Sequence, residues 1–130
     1  MKVVIDSSIF IDYVRAKEGL LFQLTELNRE RKLILYVPTA VVAELWAGLS
    51  MSKKENEKSM KLLLQSIKVI PLSKQLAEKS GLLRRKRDVI GFADSIVAAT
   101  TLYLDAQLAT SNKKHFENVK GIRLFEGKKV

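Results

Sequence analysis

Three acidic residues of this chain each stand alone in an apolar segment. Asp6 follows a run of valine and isoleucine, Glu44 is the only charged residue between positions 39 and 49, and Asp94 is the only one between positions 89 and 104. Such segments predict core strands and helices, so we expect all three carboxylates to be buried. A buried carboxylate is costly unless it is paired or binds a metal, and no lysine or arginine adjoins these three. If the fold brings them together, their natural counter-charge is a divalent cation.

The available side chains limit the kind of metal site. The chain has no cysteine and a single histidine, His115, so oxygen atoms must supply most of the ligands. Oxygen ligands favour Mg²⁺ or Mn²⁺. The absence of cysteine also excludes a disulfide framework, a thiolate metal centre and thiol chemistry.

Length and composition predict a single globular domain over residues 1–130. Apolar residues make up 47% of the chain and charged residues 28%, which is ordinary for a folded domain with a real core. The longest apolar runs fall short of the roughly 18–20 residues that a membrane helix needs, and the first strand is too short for a signal-peptide core. We therefore expect a cytoplasmic protein that makes no membrane contact.

The net charge predicts a polyanionic partner. Lysine and arginine outnumber aspartate and glutamate by 23 to 14, which gives +9 and a pI near 9.9. A surface this basic around an acidic pocket would suit an enzyme that attracts phosphates and holds cations. A solvated lysine-rich surface is the alternative. The basic clusters are Lys53-Lys54, Arg84 to Arg87, Lys113-Lys114 and Lys128-Lys129.

Strand and helix signals alternate along the chain. We expect strands at 2–5, 33–37, 68–70 and 106–110, with 122–125 as a fifth, edge strand. Helices are expected at 9–15 and 20–31, over the segment that Thr39 caps and that carries Glu44, around residues 60–67, from Ser73 to about Arg87, and after Gly91. This alternation predicts an α/β fold: a three-layer α/β/α sandwich with a mostly parallel central sheet of four to five strands.

In such sheets the functional site lies beyond the carboxyl ends of the strands. Asp6 and Asn112 follow the first and fourth strands, and Asp94 and Glu44 lie near the starts of helices that lead to the same edge. Taken singly, Asp6 could merely cap the first helix, and Asp94 could simply interact with a helix dipole.

Four segments, in this order, resemble the motifs of PIN-domain proteins. They are Val3-Val4-Ile5-Asp6-Ser7-Ser8-Ile9-Phe10-Ile11-Asp12-Tyr13, Ala43-Glu44-Leu45 with Gly48, Gly91-Phe92-Ala93-Asp94-Ser95-Ile96-Val97-Ala98-Ala99, and Leu108-Ala109-Thr110-Ser111-Asn112-Lys113-Lys114-His115-Phe116. The resemblance runs almost from end to end of the chain. In length and content it is most similar to VapC-type toxins of bacterial and archaeal toxin–antitoxin pairs.

The resemblance implies a Mg²⁺- or Mn²⁺-dependent endoribonuclease that hydrolyses RNA and leaves a 5′-phosphate. Asp6, Glu44 and Asp94 would be the metal ligands, and Asn112 would complete the catalytic set in place of an acid that the family often has there or at His115. Ser7 and Thr110 would orient the carboxylates by hydrogen bonds. His115 and Asp12 are the two nearby residues whose roles the sequence leaves open.

The resemblance also implies partners. RNA would be the substrate, a cognate antitoxin protein would cover the active site, and the chain would form a homodimer. Candidate RNA contacts are Arg84, Arg85, Lys86, Arg87 and Lys113, which would hold the phosphate backbone with little sequence preference. A basic helix end stabilised by its dipole explains the arginine run equally well.

Two other functions remain open. Because the fourth acid is missing, the chain could be a PIN-like RNA-binding module that has lost catalysis. A receiver-like or phosphatase-like domain would need a nucleophilic aspartate two residues after Asp6 or at the end of the third strand, where Ser8 and Pro71-Leu72-Ser73 stand instead.

Overall fold

A parallel four-stranded sheet forms the centre of the fold. The computed structural model describes residues 1–16 and 19–127, so the predicted basic pair Lys128-Lys129 lies outside the described residues. The strands are β1 (Lys2–Ile5), β2 (Ile34–Pro38), β3 (Lys68–Ile70) and β4 (Gln107–Ala109). Their order across the sheet is β3-β2-β1-β4, and every neighbouring pair is parallel.

Within the described residues, six α-helices flank the sheet. They are α1 (Ser7–Ala16), α2 (Leu20–Arg29), α3 (Thr39–Ala47), α4 (Lys54–Leu64), α5 (Lys74–Arg85) and α6 (Phe92–Leu104), with short 3₁₀ helices at Leu49–Ser52 and Lys113–Phe116. Helix α6 packs on β1, β2 and β4 and against α3 and α5, while α2 packs on β2 and against α1. No helix in the described part of the chain has the length and apolar character that crossing a bilayer requires.

The central strands are buried on both faces. Successive residues of β1, from Val3 to Ile5, are fully inaccessible, and Leu35 to Val37 of β2 are buried as well. A strand has this continuous burial only when layers cover both sides of its sheet, because successive side chains point to opposite faces. The predicted α/β/α sandwich is therefore confirmed.

Three local predictions need correction. Thr39 does not cap α3, because the cap position is Pro38 and no side-chain hydrogen bond is made there. Residues 122–125 do not form a fifth strand; the segment makes a single parallel bridge, Leu108 to Leu124, at the edge of the sheet. Pro38 is the last residue of β2 rather than a residue outside it. Ser73, in contrast, does cap α5, and its hydroxyl accepts a hydrogen bond from the Leu76 N–H at 3.1 Å.

The strand order creates the opening in which the acidic residues meet. From β1 the chain passes to β2 on one side, whereas β4 pairs with β1 on the other side. Loops therefore diverge at the carboxyl ends of β1 and β4, and this divergence is where α/β folds usually form their sites. Asp6 directly follows β1 at that point, with its N–H bonded to the carbonyl of Ala109 at 3.1 Å.

Candidate active site

Asp6 forms the floor of the site. It is only 1% exposed, and its carboxylate receives four donors. Oδ1 accepts from the Ser7 hydroxyl at 3.2 Å and from the Ser8 N–H at 3.3 Å. Oδ2 accepts from the Ser8 hydroxyl at 3.2 Å and from the Thr110 hydroxyl at 2.5 Å. Four donors match the four lone-pair positions of a carboxylate, so the charge is compensated although it is buried.

The bond from the Ser8 N–H also makes Asp6 the cap of α1. A side-chain oxygen that accepts from an N–H two residues into the helix satisfies one of the helix's unpaired donors. The capping interpretation of Asp6 and its place in an acidic cluster are therefore compatible. The short Asp-Ser-Ser sequence performs both tasks.

Thr110 and Ser8 connect this floor to the last motif. The Thr110 hydroxyl accepts from the Asn112 N–H at 2.9 Å, and the Ser8 hydroxyl accepts from the Ser111 N–H at 3.0 Å. The loop after β4 is thereby fixed against the end of β1. Ser8 was not among the residues predicted for the site. Its place two residues after Asp6, in register to bond the same carboxylate, was the available signal.

Glu44 lies at the opening of the site, and the expectation that it is buried is wrong. Val41 and Leu45 form the buried face of α3, whereas Glu44 projects from the exposed side of the helix. Its carboxylate is still partly desolvated, which raises the pKa of Glu44 above its usual value. A hydrogen bond from Ser7 lowers that pKa, and the charges of Asp6 and Asp94 raise it further.

Asp94 is half-buried in the first turn of α6. Burial raises its pKa, the charge of Asp6 raises it further, and His115 lowers it through both its charge and a hydrogen bond. The Nδ1 atom of His115 lies 2.9 Å from Oδ2 of Asp94. His115 is exposed, as a surface histidine would be, but it contacts the acidic site directly. The sequence signal for His115 was its position in the last motif, where the PIN family often has an acid.

The three acids therefore interact electrostatically with one another. Asp6 raises the pKa of both Glu44 and Asp94, and Asp94 also raises that of Glu44. Among the described residues, neither Asp6 nor Glu44 forms an ion pair, and Asp94 pairs with His115 alone. Hard oxygen ligands with surplus negative charge are the donor set that Mg²⁺ and Mn²⁺ accept.

The geometry does not bring three such ligands within reach of one ion. Across residues 1–16 and 19–127, no group of three histidine, aspartate or glutamate side chains is close enough to share a metal. Mutual repulsion opposes a closer approach of the carboxylates. The donor types fit a divalent ion, and the assignment of Asp6, Glu44 and Asp94 as its ligands stays a prediction.

Asn112 and Asp12 differ in their relation to the site. Asn112 lies at the start of the 3₁₀ helix that follows β4, and its bond to the site is made by its backbone N–H, which donates to the Thr110 hydroxyl. Asp12 is exposed on α1, with no ion pair among the described side chains. The structure thus places Asn112 beside the site and gives Asp12 no contact with it.

The basic residues near Asp94 surround two neighbouring cavities. One, of about 380 Å³, adjoins Asp94 itself and is lined by Arg87, Asp88, Ile90, Gly91, Asp94, Lys114, His115 and Asn118. The other, of about 440 Å³, is lined by Arg84, Arg85, Arg87 and Ile90. Of the predicted RNA contacts, Lys86 lines neither cavity. Lys113 lines a separate cavity. Lys114, which was not predicted, lines both that cavity and the one beside Asp94.

Comparison with known proteins agrees with this architecture. The family model of the PIN domain matches residues 3–122. Ribonuclease VapC1 of Methanocaldococcus jannaschii is 31% identical over 133 residues, covering 96% of this chain and 88% of that protein.

Solved structures share the fold. VapBC2 from Rickettsia felis, bound to a DNA fragment from its promoter, superposes with a TM-score of 0.81 at 23% identity, covering 96% of this chain and 98% of that one. A toxin–antitoxin complex from Klebsiella pneumoniae gives 0.72 at 22% identity, covering 92% and 94%. On the family match and the identity to VapC1, the chain belongs to the PIN-domain family, in the group that contains the VapC ribonucleases.

Proposed function

We propose that the protein is an endoribonuclease toxin that hydrolyses RNA with Mg²⁺ or Mn²⁺. The observation that carries this proposal is the electrostatic coupling of Asp6, Glu44 and Asp94 at the carboxyl ends of β1 and β4. In the described part of the chain, none of the three forms an ion pair with a lysine or arginine. The identity to a ribonuclease over nearly the whole chain supports the same reaction.

Asp6, Glu44 and Asp94 would hold the ion. A bound divalent ion supplies positive charge that offsets the carboxylates and favours deprotonation of the attacking water. The hydroxyls of Ser8 and Thr110 hold the buried carboxylate of Asp6 in one orientation. Ser7 lies between Asp6 and Glu44, and its hydroxyl has a single proton to donate. Donation to Glu44 instead of Asp6 would free one acceptor site of Asp6 for the ion.

His115 and Asn112 complete the proposed site. His115 holds Oδ2 of Asp94 and thereby leaves the second carboxylate oxygen of Asp94 for the ion. Asn112 would position substrate or water through its neutral amide, in place of the acid that the family often has there.

The reaction breaks one phosphodiester bond with water. Oxygen from water joins the phosphorus, the 3′-oxygen of the preceding nucleotide leaves with a proton, and the products end in a 5′-phosphate and a 3′-hydroxyl. Since its substrate would be cellular RNA, the proposal includes a cytoplasmic location.

An antitoxin is the proposed partner. A cavity of about 290 Å³ lies between α1 and the end of α3 and is lined by Ile11, Val14, Arg15, Glu44, Leu45, Gly48, Leu49, Ser50 and Met51. This mainly apolar groove reaches Glu44, so a bound protein segment would also cover the acidic site. The exposed ring of Tyr103 would suit an apolar contact in a homodimer, the second assembly that we propose.

Cleavage of RNA by paired variants tests the proposal. Asp94 and Asp105 lie at the two ends of α6, so Asp94→Asn and Asp105→Asn remove the same charge from opposite ends of one helix. Asparagine also tolerates the left-handed backbone of Asp105, where φ is 52°. We expect structured RNA to be cut in Mg²⁺ or Mn²⁺ by the parent and by Asp105→Asn, but not by Asp94→Asn or in EDTA.

The alternative function has its own signature. A PIN-like module without catalysis would bind RNA, cut none of it with either metal, and bind equally well after Asp94→Asn. The neutral Asn112 and the separation of the three acids are the observations that keep this second candidate open.

A further inference from the structure

Two large apolar side chains are exposed beside Asp94. Ile90 is 80% exposed, and Phe92, the first residue of α6, is 63% exposed. Exposure alone is ordinary, since Phe22 on α2 is 58% exposed as well. What distinguishes Phe92 is the set of side chains around it.

Arg84 connects Phe92 to the preceding loop. Its guanidinium carbon lies 5.7 Å from the centre of the Phe92 ring, within the range of a cation–π contact. Its Nε also donates a hydrogen bond to the carbonyl of Ile90 at 3.2 Å. One residue thus fixes both the ring and the loop that leads into α6.

The basic surface next to the ring continues to the acidic site. Arg84 and Arg85 line one cavity, and Arg87 and Ile90 line both that cavity and the one beside Asp94. A chain of positive side chains therefore leads from the aromatic ring to the carboxylate.

We propose that this surface, formed by Arg84, Arg85, Arg87, Ile90 and Phe92, binds unpaired nucleotides of single-stranded RNA next to the bond that is cut. One base stacks on Phe92 beside Arg84, and Arg85 and Arg87 contact phosphates. The proposal rests on the proposed function, because it assigns a base-stacking surface to the RNA that the same site would cut. Unpaired bases can reach an aromatic side chain, whereas bases inside an A-form duplex cannot.

The charges favour RNA over a protein partner here. Three arginines adjoin two apolar side chains, and Asp88 and Asp94 are the acidic residues lining the adjoining cavity. Aromatic and arginine side chains together form the usual platform for single-stranded nucleic acid. A protein segment would more naturally occupy the apolar groove beside Glu44.

The left-handed backbone conformation of Arg87 allows its charge to be removed by a substitution that the fold tolerates. Arg87 has φ of 63° and follows the end of α5, with its N–H bonded to the Arg84 carbonyl and the Asp88 N–H bonded to the Leu83 carbonyl, both at 3.0 Å. This is a Schellman motif in which glycine is the usual residue. Arg31 has φ of 61° and ends α2 in the same way. Arg87→Gly and Arg31→Gly therefore relieve the same strain and remove the same charge at different places.

The experiment measures affinity in EDTA, where the proposed cleavage does not interfere. A fluorescent unpaired RNA of about 12 nucleotides and a hairpin whose stem has the same sequence are titrated with the purified protein. The variants are Phe92→Leu against Phe22→Leu, and Arg87→Gly against Arg31→Gly. Thermal unfolding of all four verifies that each is folded.

We expect the parent to prefer the unpaired RNA. Phe92→Leu should weaken its binding about five- to a hundredfold and remove the preference, with Phe22→Leu unchanged. Arg87→Gly should weaken binding to both RNAs without loss of thermal stability. It should also reduce the slope of the logarithm of the binding constant against the logarithm of the salt concentration by about one. Arg31→Gly should affect binding little.

Equal affinities of Phe92→Leu and Phe22→Leu for the unpaired RNA would overturn the inference, even if the protein cuts RNA. The same holds if Phe92→Leu releases a bound protein but leaves RNA affinity intact, because the surface would then be a protein-docking surface. Failure of the proposed function is a separate result, namely no metal-dependent cutting by a parent protein that still shows the preference for unpaired RNA.

Discussion

The hydroxyl of Thr110 donates a 2.5 Å hydrogen bond to Oδ2 of Asp6, joining the loop after β4 to the end of β1. Both residues are buried, and their strands are neighbours in the sheet. The position of the Asp6 carboxylate therefore depends on a residue from the far end of the chain.

Removing the Thr110 hydroxyl should weaken both the fold and the site. We expect Thr110→Val to lower the free energy of unfolding by about 1.5–3 kcal/mol, because Asp6 loses a buried hydrogen bond to its charge. Cleavage of RNA should fall with it. The control is Thr100→Val, which removes another buried hydroxyl, bonded to the Ile96 carbonyl within α6. An equal loss of cleavage in the two folded variants would contradict the role of Thr110.

Neutralising Glu44 should stabilise the metal-free protein. The pKa of Glu44 is raised in the folded state, so the folded protein binds more protons than the unfolded chain between the usual and the raised pKa. Its stability contribution is therefore lost as pH rises through that window, and the ionised carboxylate is unfavourable above it. We expect Glu44→Gln to unfold at a slightly higher temperature in EDTA at neutral pH, the effect being small because Glu44 is exposed.

In Mg²⁺ the parent should unfold at a higher temperature than Glu44→Gln, which is the reverse of the order in EDTA. An ion that binds the folded state raises its melting temperature, so the parent should gain more from Mg²⁺ than Glu44→Gln does. Glu57→Gln on α4 serves as a control because its partner is a nearby lysine, Lys61, in an exposed ion pair. Identical Mg²⁺ responses of the parent and Glu44→Gln would remove Glu44 from the metal site.

Acid should inhibit the enzyme at a higher pH than ordinary carboxyl groups would cause. Both Glu44 and Asp94 have raised pKa values and must lose their protons before they can bind a cation. We expect Mn²⁺ affinity and single-turnover cleavage to fall together as pH decreases. Saturating Mn²⁺ should shift the cleavage profile to lower pH. If the pH profile of cleavage does not shift with Mn²⁺ concentration, a group other than these carboxylates controls the pH dependence.

His115 should act by positioning Asp94. We expect His115→Ala to reduce cleavage about tenfold or more, as loss of a supporting partner does at metal sites. His115→Asn, whose side-chain amide can replace the Nδ1 contact to Asp94, should recover part of that loss. Mn²⁺ binding that is weakened in His115→Ala and restored in His115→Asn would show that His115 positions Asp94, because a role in direct proton transfer alone would not change metal affinity. Full activity of His115→Ala would show that this contact has no role.

The layout of the fold was predictable because the strands are short, mainly apolar runs separated by helical segments. Local hydrogen bonds were harder to predict. Thr39 has the chemistry of a helix cap, yet Pro38 already holds an extended conformation at the end of β2 and takes that position. The segment at 122–125 has a strand-like composition but contacts β4 at a single bridge.

The acidic residues were identifiable, but their environments were not. An apolar segment indicates that a helix packs on the core, and it does not tell which side of the helix a single charge occupies. Val41 and Leu45 take the buried face of α3 and leave Glu44 on the exposed side. The contact between His115 and Asp94 joins residues 21 positions apart, and local sequence alone does not encode such a pair.

The chemical ends of the RNA products test the central claim most directly. We would incubate end-labelled RNA with Mn²⁺ and the parent, Asp6→Asn or Asp105→Asn, and map the products at each cut. Hydrolysis at the acidic site predicts 5′-phosphate and 3′-hydroxyl ends from the parent and Asp105→Asn, and no cuts from Asp6→Asn. Cyclic 2′,3′-phosphate ends, or the same cuts with Asp6→Asn, would contradict a metal-dependent hydrolase built on these carboxylates.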